Sequence, residues 1–208
     1  MKKLVCVVFI GSCLLAHAET KPYISIYAGG SGLQETEYEN LPTDYGSVSG
    51  DFKYDAGPVF GVAIGTSIAD WPVRVEVEYS YRKSSCSVMK MSSPIIDEVD
   101  GDDTSLKAYV LMGNIYYDLA WVDSPVIPYV FAGLGALRAD VSIARVGSDN
   151  ATVLAGQLGI GAGWAITDHI VLDVKGRVMM SDDIDLSENA KLDSLIYAEV
   201  LAGVRFQF

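Results

Sequence analysis

The sequence predicts an all-β fold, an eight-stranded antiparallel up-and-down transmembrane β-barrel with four long extracellular loops. The first observation is that half of the 208 residues are hydrophobic, yet the only unbroken apolar run lies at the N-terminus. A membrane protein without a later run of about 20 apolar residues has to span as closed strands, because lipid cannot satisfy open backbone groups. The second is eight segments of about ten residues that alternate in polarity. The third is that short and long connections alternate between them.

The N-terminus predicts a secretory signal peptide at residues 1–18, followed by the barrel domain at 19–208. A basic start precedes a short apolar stretch, and Ala16-His17-Ala18 is a small-x-small cleavage site. A lipoprotein cut before Cys13 is the alternative, since residues 10–13 loosely match a lipobox. Either cut leaves at most two cysteines, and signal cleavage leaves Cys86 alone, for which we expect a free thiol.

The first three predicted strands set apolar side chains against small or polar ones. Residues 22–30 alternate isoleucine and alanine with tyrosine and serine, and residues 58–68 alternate large aliphatic or aromatic side chains with glycine and alanine. Residues 73–82 set valine and tyrosine against arginine, glutamate and serine. Because successive strand residues face opposite sides, each segment has one apolar face. The third segment alone fits a barrel interior or water equally well.

The remaining five strands repeat this pattern toward the C-terminus. In residues 106–119 aromatic and aliphatic side chains oppose Met, Asn, Tyr and Asp, and residues 127–138 and 152–165 set aliphatic side chains against aromatics, Gln and glycines. Residues 170–179 set Ile, Leu and Val against Asp, Lys and Arg. The last segment, 194–208, is apolar at every second position from its isoleucine to its final phenylalanine. Its charged opposite face favours a lumen on one side and lipid on the other; an edge strand of a soluble sandwich is the alternative.

The connections predict the orientation of the barrel. Short ones fall at 69–72, 120–126 and 166–169, and long ones at 31–57, 83–105, 139–151 and 180–193. In outer-membrane barrels the short turns are periplasmic and the long loops extracellular. The long loops carry net charges of −5, −3, −1 and −4, against −14 for the chain without its signal peptide. An exterior this acidic would repel phosphates, so we expect no nucleic-acid partner.

Charged side chains on the inward faces are the main candidate site. They form the set Arg74, Glu76, Glu78, Asp173, Lys175, Arg177, Glu199 and Arg205. Eight strands leave just enough room for side chains, so we expect these charges to pair and fill the interior, with a conduction path as the alternative. Aligning Ile170 with Phe206 would place Arg177 beside Glu199 and Asp173 near Arg205.

Other residues suggest contacts at the membrane boundary and in the loops. Tyr38, Tyr45 and Tyr54 stand among the carboxylates of the first long loop, where exposed aromatics can serve recognition. Residues 97–103 form an acidic run that we interpret as a solvated loop, with a hard-cation site or a caspase-type cleavage sequence as alternatives. An interfacial aromatic girdle is predicted from Tyr23, Trp71, Tyr79, Tyr81, Tyr109, Tyr117, Trp121 and Trp164.

No residue pattern in the sequence supports a catalytic function. The only histidine after the signal peptide is His169, beside Asp168 in a predicted turn, and no serine or cysteine motif accompanies it. Gly159-x-Gly161-x-Gly163 lies inside a strand pattern and therefore is not a dinucleotide loop. We expect a protein that is not an enzyme and that has no cofactor or metal site.

The segments GPVFGVAIGTSIADWPVRVEVEYSYR, VLMGNIYYDL, PYVFAGLGA, GQLGIGAGW and GVRFQF together resemble a known family. They are similar to small eight-stranded outer-membrane barrels of the opacity-protein type, in particular surface antigens of alphaproteobacteria related to Ehrlichia and Anaplasma. The resemblance implies a surface-displayed barrel in outer-membrane lipid, assembled by periplasmic chaperones and the insertion machinery. It also implies that Phe206 and Phe208 belong to the insertion signal.

Three functions from different classes follow from these observations. The first is a surface antigen or adhesin that contacts a host surface or a basic partner through its acidic loops. The second is a narrow porin for small solutes, and the third is a membrane-embedded lipid hydrolase.

Overall fold

The computed structural model of the chain describes residues 20–33, 36–43, 46–54, 56–68, 71–91, 98–100, 105–119, 124–143, 147–185, 191–192 and 194–208. In that part the strands are β1 (Thr20–Leu33), β2 (Thr36–Thr43), β3 (Gly46–Tyr54), β4 (Gly57–Ile68), β5 (Val73–Met91), β6 (Glu98–Asp100), β7 (Ser105–Asp118), β8 (Val126–Ile143), β9 (Gly147–Ala165), β10 (Ile170–Ser181), β11 (Ile184–Asp185), β12 (Lys191–Leu192) and β13 (Ile196–Gln207). The predicted signal peptide, residues 1–18, lies outside the described residues.

Eight of these strands close into an antiparallel barrel. Each of β1, β4, β5, β7, β8, β9, β10 and β13 is hydrogen-bonded to the next in that order, and β13 pairs back with β1. The predicted eight-stranded antiparallel barrel is therefore confirmed. No helix in the described part of the chain is long and apolar enough to cross a membrane.

Side chains alternate between the two faces of the barrel as the sequence pattern predicts. On β13, Tyr197, Glu199 and Leu201 are buried, whereas Ala198 and Val200 are exposed. Outward aliphatic and aromatic side chains on all eight strands are exposed in the same way. Such a belt is costly in water and is the normal surface of a barrel in lipid.

The barrel closes at a seam between the first and last strands. The β1–β13 register runs from Tyr23 opposite Gln207 to Leu33 opposite Tyr197. The backbone N–H of Phe208 donates to the carbonyl oxygen of Pro22 at 3.0 Å, which extends the seam to the end of the chain.

The ends of the strands differ from the prediction at the long-loop side. β5 continues to Met91, nine residues past its predicted end at 82, and the β8–β9 hairpin occupies most of the predicted loop 139–151. β2, β3, β6, β11 and β12 lie within the other three predicted loops, where β3 and β6 pair with the far half of β5. Residues 83–91 do not alternate regularly in polarity, so the sequence pattern ends while backbone pairing continues.

Inward glycines give large interior side chains the room they need. A Cβ atom on Gly161 would lie 2.6 Å from the ring of Tyr129, and one on Gly65 would lie 2.5 Å from the ring of Tyr23. Both positions therefore need glycine because an aromatic ring occupies the space that a side chain would take, and not because the chain turns there.

Candidate functional site: the filled interior of the barrel

The structure brings the eight predicted interior charges to the inside of the barrel. Seven are buried and Asp173 is partly buried. They come from β5, β10 and β13, where every second residue faces inward. The β10–β13 register is the predicted one, with Ile170 opposite Phe206 and Arg177 opposite Glu199.

A chain of ion pairs crosses the middle of the interior. Glu199 accepts from Arg82 Nε at 2.7 Å through one carboxylate oxygen and from Arg177 Nε at 2.5 Å through the other. Arg177 also donates from a terminal nitrogen to Glu78 at 2.5 Å, and Lys175 Nζ lies 3.5 Å from the other oxygen of Glu78. Each carboxylate in this chain therefore lies between two cations, and the chain ties β5 to β10 and β13.

Glu76 is held by neutral donors. Tyr116 donates to one of its oxygens at 2.8 Å, Tyr23 donates to the other at 3.1 Å, and the side-chain amide of Asn114 lies 3.4 Å away. The Gln157 amide donates to Asn114 at 2.7 Å, which orients that side chain. This corrects the girdle prediction for Tyr23, which points into the lumen because it has the parity of the inward face of β1.

Two further ion pairs lie toward the short-turn end. Arg74 donates from two nitrogens to Asp118, with contacts of 2.8 to 3.1 Å, and its guanidinium lies 4.5 Å from the centre of the Tyr116 ring. Arg205 Nε lies 3.2 Å from a carboxylate oxygen of Asp173, the contact predicted from the strand register. The lysine of the central chain, Lys175, likewise lies 4.1 Å from the centre of an aromatic ring.

Formal charge balances within the described interior. The cations are Arg74, Arg82, Lys175, Arg177 and Arg205, and the carboxylates are Glu76, Glu78, Asp118, Asp173 and Glu199. Sequence reasoning did not place Arg82 and Asp118 in the network. Both were detectable, because they share the parity of the inward residues on their own strands.

The half of the interior nearer the long loops is apolar, which the sequence analysis missed. Its buried members are Leu33, Leu106, Ala108, Val110, Met112, Leu137, Ala139, Ala155, Met179, Leu195 and Tyr197. The interior site predicted from the sequence consisted of charged side chains only. The signal was the inward parity of the residues that precede Asn114 on β7.

A small cavity lies among the charged residues in the middle of the barrel. The interior cavity bordered by Tyr27, Arg74, Glu76 and Lys175 has a volume of about 20 Å³. That is about enough for one water molecule. Paired and packed side chains therefore surround a space of about that size at this point in the barrel.

The predicted insertion-signal residues, Phe206 and Phe208, lie together at the end of β13. The ring of Phe206 lies 5.2 Å from that of Phe208 and 6.2 Å from His169, at the short-turn end. His169 is exposed, and its Nδ1 lies 3.0 Å from the backbone oxygen of Gln207. Tyr45 lies outside the described residues, as do the side chains of Tyr38 and Tyr54.

The remaining predictions concern residues that lie partly inside and partly outside the described part of the chain. The exposed side chains of Trp71, Tyr79, Tyr117 and Trp164 fit the predicted girdle, whereas Trp121 lies outside the described residues. The side chains of Cys86 and of the acidic run 97–103 also lie outside the described residues. Among the described residues, no group of three or more His, Cys, Asp or Glu is placed to hold a metal ion.

Comparison with known proteins agrees with this architecture. The family described as "Outer membrane protein beta-barrel domain" matches residues 4–207. Outer membrane protein PagN of Salmonella typhimurium is 27% identical over 146 residues, which are 62% of this chain and 59% of PagN. The chain therefore spans less than two thirds of that relative.

Solved structures show the same fold at low identity. The crystal structure of Neisserial surface protein A aligns with a TM-score of 0.59 and 21% identity, covering 91% of this chain and 99% of that one. The outer membrane protease OmpT of Escherichia coli aligns with a TM-score of 0.53 and 9% identity, covering 90% and 97%. Identities this low establish the shared barrel and nothing about shared chemistry.

Proposed function

Because the chain belongs to the outer membrane protein beta-barrel domain family, we propose that its barrel anchors a surface antigen or adhesin in the bacterial outer membrane. In this proposal the short turns face the periplasm and the long-loop end lies outside the cell. The loops then contact a host surface or a basic partner.

The observation that carries the proposal is the filled interior. Five cations and five carboxylates neutralise one another inside the barrel, and an apolar cluster occupies its long-loop half. A barrel of this kind offers lipid-facing and loop surfaces for function, while its lumen serves stability. The same packing argues against the narrow-porin alternative, because ions would have to displace paired charges and apolar side chains.

The distribution of charge supports contact through the loops. Residues 31–57, 83–105 and 180–193 together carry a net charge of −12. Carboxylates concentrated on one end of a molecule attract basic surfaces over about 8–10 Å at physiological salt. Tyr38 and Tyr54 lie on β2 and β3 within the first of these segments.

We further propose that the protein acts without catalysis. His169 is committed to a backbone oxygen and an aromatic neighbour at the short-turn end. A lipid hydrolase needs a nucleophile within about 2.6–3.2 Å of its base, and the described contacts of His169 include no such partner. The shared fold with a protease at 9% identity does not alter this proposal.

Phe206 and Phe208 are proposed to be read by the insertion machinery before the barrel closes, with periplasmic chaperones holding the unfolded chain. Their adjacent rings at the end of β13 support this role. In the folded barrel both side chains are exposed to the surrounding lipid, so their replacement by alanine should lower insertion more than it lowers the stability of the inserted barrel.

The test compares one loop deletion with one turn replacement in cells that display the protein. Removal of residues 36–54 is expected to abolish adhesion to host cells, whereas replacement of the short turn 166–169 by another turn should leave adhesion intact. Both variants are first checked for heat-modifiable migration on gels, which shows that the barrel has formed. Equal adhesion of the loop deletion and the parent, or protease cleavage of intact cells confined to the short turns, would contradict the proposal.

A further inference from the structure

The outward face of the barrel carries one patch of charge. Among the described side chains on that face of the eight barrel strands, the charged ones are Lys83, Lys107, Arg138 and Asp140. They lie on the neighbouring strands β5, β7 and β8, at the long-loop end of the lipid-facing belt. We call these four residues the rim patch.

The two lysines of the rim patch lie directly opposite each other. Lys83 pairs with Lys107 in the β5–β7 ladder, and like charges in this position repel. Among the described residues neither lysine has an ion-pair partner: Lys107 lies opposite Asp140 in the β7–β8 ladder, but the Asp140 carboxylate lies 3.2 Å from Arg138 Nε. The patch therefore has an excess of two positive charges that an external anion would neutralise.

The surface beside the rim patch is aromatic and grooved. Tyr81 and Tyr109 are the next outward pair toward the lipid belt, with ring centres 5.2 Å apart. A groove of about 540 Å³ runs from Arg138 over Tyr109 to Leu111 and Ala136. At the rim the groove is lined by Arg138, Asp140 and Thr152, and toward the belt by Tyr79, Leu111 and Ala136. The two lysines lie beside the groove on β5 and β7 and do not line it.

We propose that the rim patch binds the anionic phosphate headgroup of a membrane lipid, with one acyl chain lying in the adjoining groove. The occupant is a lipid rather than a soluble anion, because the groove continues into the lipid-facing belt and its apolar end needs an apolar occupant. Lysine and arginine at this height extend their charged groups to the headgroup layer. The inference needs only the membrane location of the barrel and is independent of what the loops bind.

The test uses the purified, refolded barrel in an uncharged detergent and native mass spectrometry of retained lipid. Dilauroylphosphatidylglycerol is compared with zwitterionic dilauroylphosphatidylcholine, and inorganic phosphate is added as a competitor. We expect preferential retention of the anionic lipid, and inorganic phosphate should compete weakly because it cannot fill the apolar groove. Each of Lys83→Gln and Lys107→Gln should weaken that preference about fivefold, and the double variant about thirtyfold.

Lys21→Gln is the matched control. Lys21 is exposed near the start of β1, at the short-turn end of the barrel and away from the rim patch, so its replacement should leave the preference unchanged. Heat-modifiable migration verifies folding of every variant, and the single variants keep the test valid if the double variant fails to fold. Equal retention of the two lipids by the parent barrel, or an unchanged preference in both lysine variants, would overturn the inference. Saturation by inorganic phosphate that displaces the lipid completely would show a soluble-anion site instead. None of these results bears on adhesion by the loops.

Discussion

Replacement of Glu199 by glutamine should destabilise the barrel more than any other single change of one carboxylate to its amide. Glu199 joins Arg82 and Arg177 through its two oxygens, and all three side chains are at most 1% exposed. Glutamine keeps one acceptor oxygen and turns an NH₂ group toward the second guanidinium. Arg177 retains its contact with Glu78, whereas Arg82 is left with the hydroxyl of Ser80 as its hydrogen-bond partner.

The expected loss in the free energy of unfolding is about 3–5 kcal/mol, the usual cost of breaking a buried ion pair by removing one partner. It can be measured by urea unfolding of barrels refolded into lipid vesicles, followed by tryptophan fluorescence. Asp140→Asn is the matched control, because the Arg138–Asp140 pair is 55% and 35% exposed and should contribute about 0–1 kcal/mol.

A double variant tests whether the stability lost in Glu199→Gln comes from the unpaired guanidinium of Arg82. Arg82→Met combined with Glu199→Gln removes the orphaned guanidinium and should recover part of the stability lost in Glu199→Gln alone. The reasoning is refuted if Glu199→Gln costs no more than Asp140→Asn. It is also refuted if the double variant loses the full sum of the two single losses.

Three further changes test the filled interior and the lipid belt. Gly161→Ala should cost about 1–3 kcal/mol in the same unfolding assay because its Cβ would meet Tyr129, whereas Gly176→Ala, with its nearest neighbour 3.9 Å away, should be nearly neutral; equal costs would contradict the packing. Leu158→Arg, at a position 68% exposed in the middle of the belt, should cost about 2–4 kcal/mol against about 0–1 for Thr152→Arg near the rim, and similar values would mean that the belt does not face lipid. In planar bilayers the barrel should give no discrete conductance steps, and reproducible steps would show that the interior opens.

Alternation of polarity was sufficient to predict the closed barrel and part of its interior. On β5 the apolar and charged positions are so cleanly separated that the inward set follows from parity alone. The β10–β13 register also followed, because one alignment places Arg177 opposite Glu199 and brings Asp173 near Arg205, while a slip of one residue would turn these charges toward lipid.

Parity could not distinguish two apolar faces from each other. On β7, Val110 faces inward and Leu111 faces outward, yet both are aliphatic, so the apolar part of the lumen has no distinct sequence signal. Tyr23 was misassigned for a related reason, since tyrosine suits both a membrane interface and a lumen that offers a carboxylate. The end of β5 was underestimated because residues 83–91 do not alternate regularly in polarity, although the backbone continues the strand to Met91.

The ion pair between Arg82 and Glu199 joins residues 117 positions apart in the chain. A nascent barrel that lacks β13 would therefore hold Arg82 and Arg177 without their shared counter-ion, at a depth where an unpaired charge is strongly disfavoured. The final strand supplies both Glu199 and Arg205, so the net charge of the lumen is the same without it, but Arg82 and Asp173 lack their ion-pair partners until it arrives. Partly closed intermediates therefore carry an electrostatic penalty that the completed barrel does not. Closure should consequently be cooperative and late, and it should be limited by delivery of the C-terminal strand.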